Sequence, residues 1–304
     1  MRNQRKLIGE ISNFEIRLLQ VFRTVVECGG FAAAEVELNI SRSAISINMS
    51  DLEERLGLRL CQRGRQGFSL TDEGRQVYLA SQKLMTSLED FRTQVNGIHK
   101  QLKGEFSIGI TDNLVTIEHM RVTNALKSLK QLGPDVEVKI HMMPPNDIER
   151  GVLDGGIHVG VIPELRSIKG LNYLPLYFEQ SELYCSSQHP LFTLDDDEIS
   201  PELIQQQEAI APAYAQIPET RAHYQSLKTT ATATDREGVA FLIISGCYIG
   251  FLPTHFAKRW VDKNEIRALK PDHYGYSTQY QVVTKKAQPA NLILETFMTE
   301  LLVS

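Results

Sequence analysis

The chain has 304 residues, 42% apolar and 23% charged, which is enough material for two or three buried cores. Its net charge of −5 excludes a uniformly basic, polyanion-coating surface, but the balance is uneven: residues 1–70 hold ten Lys+Arg against eight Asp+Glu, leaving twenty-two against twenty-nine for the rest. Any polyanion therefore belongs at the N-terminal end.

No window is long and apolar enough to span a bilayer. The most apolar stretch, 238–253, is short and broken by Ser, Gly, Cys and Tyr. The N-terminus lacks the apolar run of a signal peptide, so the expected location is the cytoplasm, with no membrane partner. Cys28, Cys61, Cys185 and Cys247 are scattered without CxxC spacing, which argues against a disulfide frame or a zinc site.

In chain order, the first predicted element is a helix over 14–27, with Phe14, Leu18, Val21, Phe22 and Val25 on one face and "CGG" as its stop. A short helix, "FAAAEVEL", follows, and Ser41 is a candidate N-cap for a third. In that third helix Ile45, Met49, Leu52 and Leu56 make a continuous apolar stripe. The opposite face begins with Arg42, Ser43, Ser46, Ile47 and Asn48, where a solvated helix ordinarily carries Glu and Lys. Two helices joined so tightly form a helix-turn-helix. "LRLCQRGRQGFSLT" then reads as a β-hairpin whose turn, between Gly64 and Gly67, carries Arg63 and Arg65.

From Thr71 to Leu102 the apolar residues Leu84, Leu88, Phe91, Val95, Ile98 and Leu102 alternate spacings of four and three, a period of about 3.5 with no partner segment elsewhere in the chain. A second copy of the chain is the expected partner. The alternative, a helix lying on its own domain, favours a period of about 3.6.

Beyond Gly104 strands alternate with helices. Strands at 105–110, 136–143 and 157–162, with helices near 114–131 and 146–154, start a parallel sheet. "SELYCS", "EAIAP", "TTATATD", "YIGFLP" and "EIRAL" make a second series; "TQYQVVTKK" and a helix at 287–302 close the chain. Two α/β halves crossed more than once by the chain enclose a cleft. There is no HExxH pair, Cys/His ligand set, GxSxG elbow or P-loop, and glycine-rich "GVLDGGIHVGVIP" ends a helix instead of opening one. No catalytic residue, metal or cofactor is expected.

Residues 14–74 carry Phe14, Leu18, Phe22, Gly29-Gly30-Phe31, Ala33-Ala34, Leu38, Ser41-x-Ser43-Ala44-x-Ser46, Leu52-Glu53, Leu56-Gly57, Arg63 and Leu70-Thr71. That spacing resembles the DNA-binding domain of the LysR-type transcriptional regulators. "LYCSSQHPLF" and "ISGCYIGFLP" resemble the same family's effector domain, so the likeness covers essentially the whole chain. Cys61 stands where the family usually has Phe, Met49 where it has Ile or Val, Ile47 where a polar or basic residue is frequent, and His158 where Asp is common.

The resemblance implies an N-terminal all-α winged helix-turn-helix domain over 1–70 and a long linker and dimerisation helix over 71–103. An α/β effector domain over 104–304 would follow, built of two subdomains like those of periplasmic binding proteins: about 104–178 with 283–304, and about 179–282. In that frame Arg42, Ser43, Ser46, Ile47 and Asn48 face the major groove, while Arg63 and Arg65 suit phosphates or the minor groove. The dimer interface falls on Leu84, Leu88, Phe91, Val95 and Ile98. Expected partners are promoter half-sites in double-stranded DNA, a second copy with a dimer of dimers beyond it, RNA polymerase, and a small-molecule effector.

Thr111, Asp112 and Asn113, at the carboxyl end of a parallel strand and the start of the next helix, are the candidate effector contacts. Pro212 and Thr234 are expected across the cleft. A helix N-terminus favours an anion, which makes a carboxylate the first effector class to consider. Two alternatives are an effector-independent or cysteine-based redox regulator using Cys185 and Cys247, and, more remotely, a solute-binding protein.

Overall fold

The computed structural model describes residues 11–303 apart from 65, 66, 100, 113, 119, 214, 215, 217 and 288–290, and without the side chains of 63, 64 and 67. The chain divides into two compact units, Met1–Glu89 and Asp90–Ser304.

In the first unit, α1 (Asn13–Glu27) opens on a capping box: Ser12 accepts from the Phe14 amide and Glu15 returns to the Ser12 amide. Leu18, Val21, Phe22 and Val25 are buried as expected. Phe14 is not; it is 43% exposed, with the Arg55 guanidinium 4.6 Å over its ring while pairing with Glu15. Gly29, at φ +72°, lets the chain turn left-handed out of α1 into α2 (Phe31–Leu38). Ser41 caps α3 (Arg42–Leu56), accepting from the Ala44 amide, and α3 buries Ile45, Met49 and Leu52 in one cluster with the α1 face.

Strands β1 (Cys61–Gly64) and β2 (Gly67–Leu70) pair antiparallel, Cys61 opposite Leu70, as the wing. Thr71 then starts α4 (Asp72–Ile98), accepting from the Gly74 amide and donating to the Arg59 carbonyl. A Cβ on Gly74 would lie 1.9 Å from the Leu60 carbonyl oxygen, so this close approach admits only glycine.

The second unit opens with β3 (Lys103–Ile110), α5 (Arg121–Leu132), β4 (Asp135–Met142), α6 (Pro145–Asp154) and β5 (Val159–Pro163). The three strands are parallel, with β3 between β4 and β5. The helix expected over 114–131 begins only at Arg121; Leu114–Thr116 is a single 3-10 turn. β6 (Leu171–Ser186) is far longer than the expected "SELYCS". α7 (Pro201–Gln206), β7 (Glu208–Pro212), α8 (Pro218–Gln225), β8 (Lys228–Ala233), α9 (Arg236–Ile244), β9 (Gly250–Pro253), α10 (Thr254–Val261) and β10 (Ile266–Ala268) follow. β11 (Gly275–Lys285) returns antiparallel along β6, and α11 (Leu292–Val303) starts where Asn291 accepts from the Ile293 and Leu294 amides.

β6 and β11 tie two halves together. β5 pairs with β11 at Tyr280–Val283, whereas β9 and β10 pair with β6 over Ser181–Ser186. A register shift between Tyr280 and Gln281, opposite Tyr177 and Pro175, marks where one set of neighbours gives way to the other. On one side Phe106, Ile108, Val159, Val161 and Phe297 form the core; on the other Leu183, Cys185, Ile249 and Phe251 do. His158, buried, accepts from the Ser107 amide at Nδ1 (2.8 Å), stacks on Phe106 and points Nε2 at Asp90, 3.5 Å away.

Candidate DNA-reading helix and effector cleft

The face of α3 away from the core carries polar side chains and one isoleucine. Arg42, Ser43 and Ile47 are exposed, Ile47 at 62%, while Ser46 and Asn48 are half-buried. The Arg42 amide is held by Glu35, but its guanidinium has no partner among the described residues, and Ser43 Oγ lies 2.9 Å from Ser41 Oγ. Short hydroxyl side chains beside an uncommitted guanidinium leave room for a base edge to approach. The Arg63 side chain and all of Arg65 lie outside the described residues. Along α4, Leu88, Phe91, Val95 and Ile98 form an exposed apolar row and Leu84 is half-buried.

In the second unit a cavity of about 490 Å³ opens between the two halves. It is lined at the carboxyl ends of β3, β5, β7, β8 and β9, where open α/β sheets bind ligands. Thr111, Asp112, Pro212 and Thr234 all line it, so residues over a hundred positions apart meet in one space. Asn113 lies outside the described residues. Thr111 is 4% exposed, and its hydroxyl has no hydrogen-bond partner among the described residues.

Asp112 lines the cavity and is also bonded across it. With no helix starting at 114, it reaches across the cleft: Oδ2 accepts from the Arg236 amide (2.6 Å) at the first turn of α9, and Oδ1 and the carbonyl face the Arg236 guanidinium. The other guanidinium nitrogen donates to Glu179 Oε1 (2.5 Å) and the Tyr280 hydroxyl (2.6 Å). Glu179 is buried on β6, and its second oxygen meets His255 Nε2 at 3.0 Å. His255 Nδ1 reaches back across to Thr116 at 2.7 Å. Two polar ties, Asp112–Arg236 and Thr116–His255, thus join the halves through the crossing strands. Arg236, Glu179, Tyr280 and His255 were not singled out in the sequence. Their one signal was "TDREG" after a strand, a helix start at the same kind of position as Thr111.

All four cysteines are free. Cys185 is buried and its thiol is pushed up to about 12 by burial, so at neutral pH it is not the thiolate that redox chemistry requires. Among the described residues no group of His, Cys, Asp and Glu is arranged to hold a metal ion, and no helix is long and apolar enough to cross a membrane.

Residues 16–75 match the family model for the bacterial regulatory helix-turn-helix protein, lysR family, and residues 99–303 match the LysR substrate binding domain. The chain belongs to the LysR family. It is a DNA-binding transcriptional regulator with a substrate-binding domain, not an enzyme. This LysR-type regulator is 51% identical over 297 residues to the HTH-type transcriptional activator BauR of Pseudomonas aeruginosa, covering 98% of this chain and 97% of that one. It is 25% identical over 260 residues to the HTH-type transcriptional regulator PunR of Escherichia coli, covering 83% and 81%. Its fold is that of full-length CbnR complexed with its target DNA, with a TM-score of 0.68, 19% identity, and coverage of 95% and 99%.

Proposed function

We propose that this LysR-type regulator activates transcription in the cytoplasm, reading paired half-sites with α3 and responding to a small molecule held in the cleft of its second unit. The activator reading follows from the 51% identity to BauR, which carries that name. Arg42, Ser43, Ser46, Ile47 and Asn48 read the major groove; Arg63 and Arg65 hold phosphates or the minor groove. The exposed row on α4 pairs with a second copy, a dimer of dimers spans two half-sites, and RNA polymerase is the partner of the activated complex. Residues 1–70 then form the DNA-binding domain, 71–103 the dimerisation linker and 104–304 the effector domain.

One observation carries the effector assignment: Thr111 lines a cavity shared by both halves, and its buried hydroxyl has no partner among the described residues. An unsatisfied buried hydroxyl costs free energy that a ligand hydrogen bond recovers. Thr111→Val removes the hydroxyl and keeps the shape, so its thermal stability should be unchanged or slightly raised and its DNA affinity unaltered. A promoter–reporter fusion should nevertheless lose its response to inducing growth conditions. Normal induction by Thr111→Val refutes the cleft as the effector site.

A further inference from the structure

We infer that the effector carries a protonated amine. This rests on the cleft being the effector site, and it replaces the carboxylate expected from the sequence, whose argument needed a helix starting after Asn113. Around the cavity stand five carboxylates, Asp112, Glu164, Glu179, Asp235 and Glu237, against one guanidinium, Arg236, a formal balance of −4 from five minus one. Arg236 is already engaged by two of the five. The first turn of α9, the natural anion site here, is taken as well: the Arg236 amide donates to Asp112 and the Gly238 amide to Asp235. An incoming carboxylate would find those two amides engaged and a negative field.

A cation meets the reverse. Glu164 and Glu237 are exposed at the cavity edge, with no ion-pair partner among the described residues. They concentrate cations at the mouth and accept hydrogen bonds from an ammonium inside it. Thr111 Oγ1, buried and without a partner among the described residues, is a further acceptor. The wall also carries Tyr224, Phe251 and Tyr276, their ring centroids 5.0–6.4 Å apart, whose π faces attract a cation. Met142, Met143 and Leu165 offer apolar surface to a short carbon chain.

The test is thermal melting and calorimetric titration of the full-length protein with four matched series of about three to six carbons: α,ω-diaminoalkanes, ω-amino acids, α,ω-dicarboxylates and α,ω-diols. At least one amine-bearing compound should raise Tm, by about 5–10 °C at a hundred times its Kd. Dicarboxylates and the uncharged diols of equal length should leave Tm unmoved. Glu164→Gln and Glu237→Gln should each weaken the amine up to about fivefold, as loss of an exposed ion pair does, and salt should weaken it further.

A dicarboxylate or diol that matches the best amine, or a panel in which no amine shifts Tm, overturns the inference. If a dicarboxylate binds and Thr111→Val abolishes that binding, the cleft stands as the effector site and only the charge argument falls. If an amine binds wild type, Thr111→Val, Glu164→Gln and Glu237→Gln equally, the cleft is not the site and both fall.

Discussion

Replacing Arg236 by Met tests whether the polar chain across the cleft holds the effector domain together. Arg236 is 12% exposed and Glu179 only 1%, so methionine would leave the Glu179 carboxylate buried with His255 as its remaining partner and remove one of the two ties between the halves. Breaking a buried pair from one side typically costs about 3–5 kcal/mol, because the surviving charge has lost both water and its counter-charge. For a domain of this size that is a fall in Tm of about 6–20 °C. Adding Glu179→Gln to Arg236→Met removes the stranded charge while keeping a hydrogen-bonding side chain beside His255. The double variant should therefore be more stable than Arg236→Met alone by at least about 1 kcal/mol, a coupling that urea denaturation of the four-protein cycle reads directly. A loss under about 1 kcal/mol in Arg236→Met, or strict additivity in the double variant, would refute the claim that the chain is a structural tie.

Two further outcomes concern the DNA side. Arg42→Ala should lower affinity for the cognate operator by about 1–3 kcal/mol in fluorescence anisotropy and barely change binding to random duplex; equal losses on both would mean that Arg42 contacts only phosphate. Phe91, 66% exposed in the middle of the α4 row, should be covered by a second chain, so Phe91→Glu should sediment as a smaller particle and bind paired half-sites at least tenfold more weakly; wild-type mass rules that interface out.

The elements legible in the sequence were those whose signals are local. The Ser41 cap, the α3 stripe and the hairpin between Cys61 and Leu70 each follow from a few adjacent residues. β6 was half missed: Pro175 interrupts a strand pattern, and residues 171–180 show no clean alternation because the strand is flanked by different neighbours along its length. The helix before Arg121 was overextended, since 114–120 carries helix-compatible residues of which Leu114–Thr116 form a single 3-10 turn. In the cleft, the topological rule for open α/β sheets was enough to place Thr111, Asp112, Pro212 and Thr234 in one cavity. It was silent on Arg236, whose partners Asp112, Tyr280 and Glu179 lie 124, 44 and 57 positions away, separations at which one sequence carries no pairing signal. A helix start attracts negative charge, and at the start of α9 the Arg236 and Gly238 amides meet that charge in Asp112 and Asp235 of the protein itself.

Gly74 has a reach beyond its own contact. Because the Leu60 carbonyl occupies the space of its missing Cβ, main chain rests on main chain at the point where α4 leaves the wing. A junction set by side chains drifts as those side chains are exchanged over evolutionary time; this one is indifferent to them. The exposed side chains of α3 and of the α4 row can therefore both be exchanged while the direction in which α4 leaves the wing stays the same.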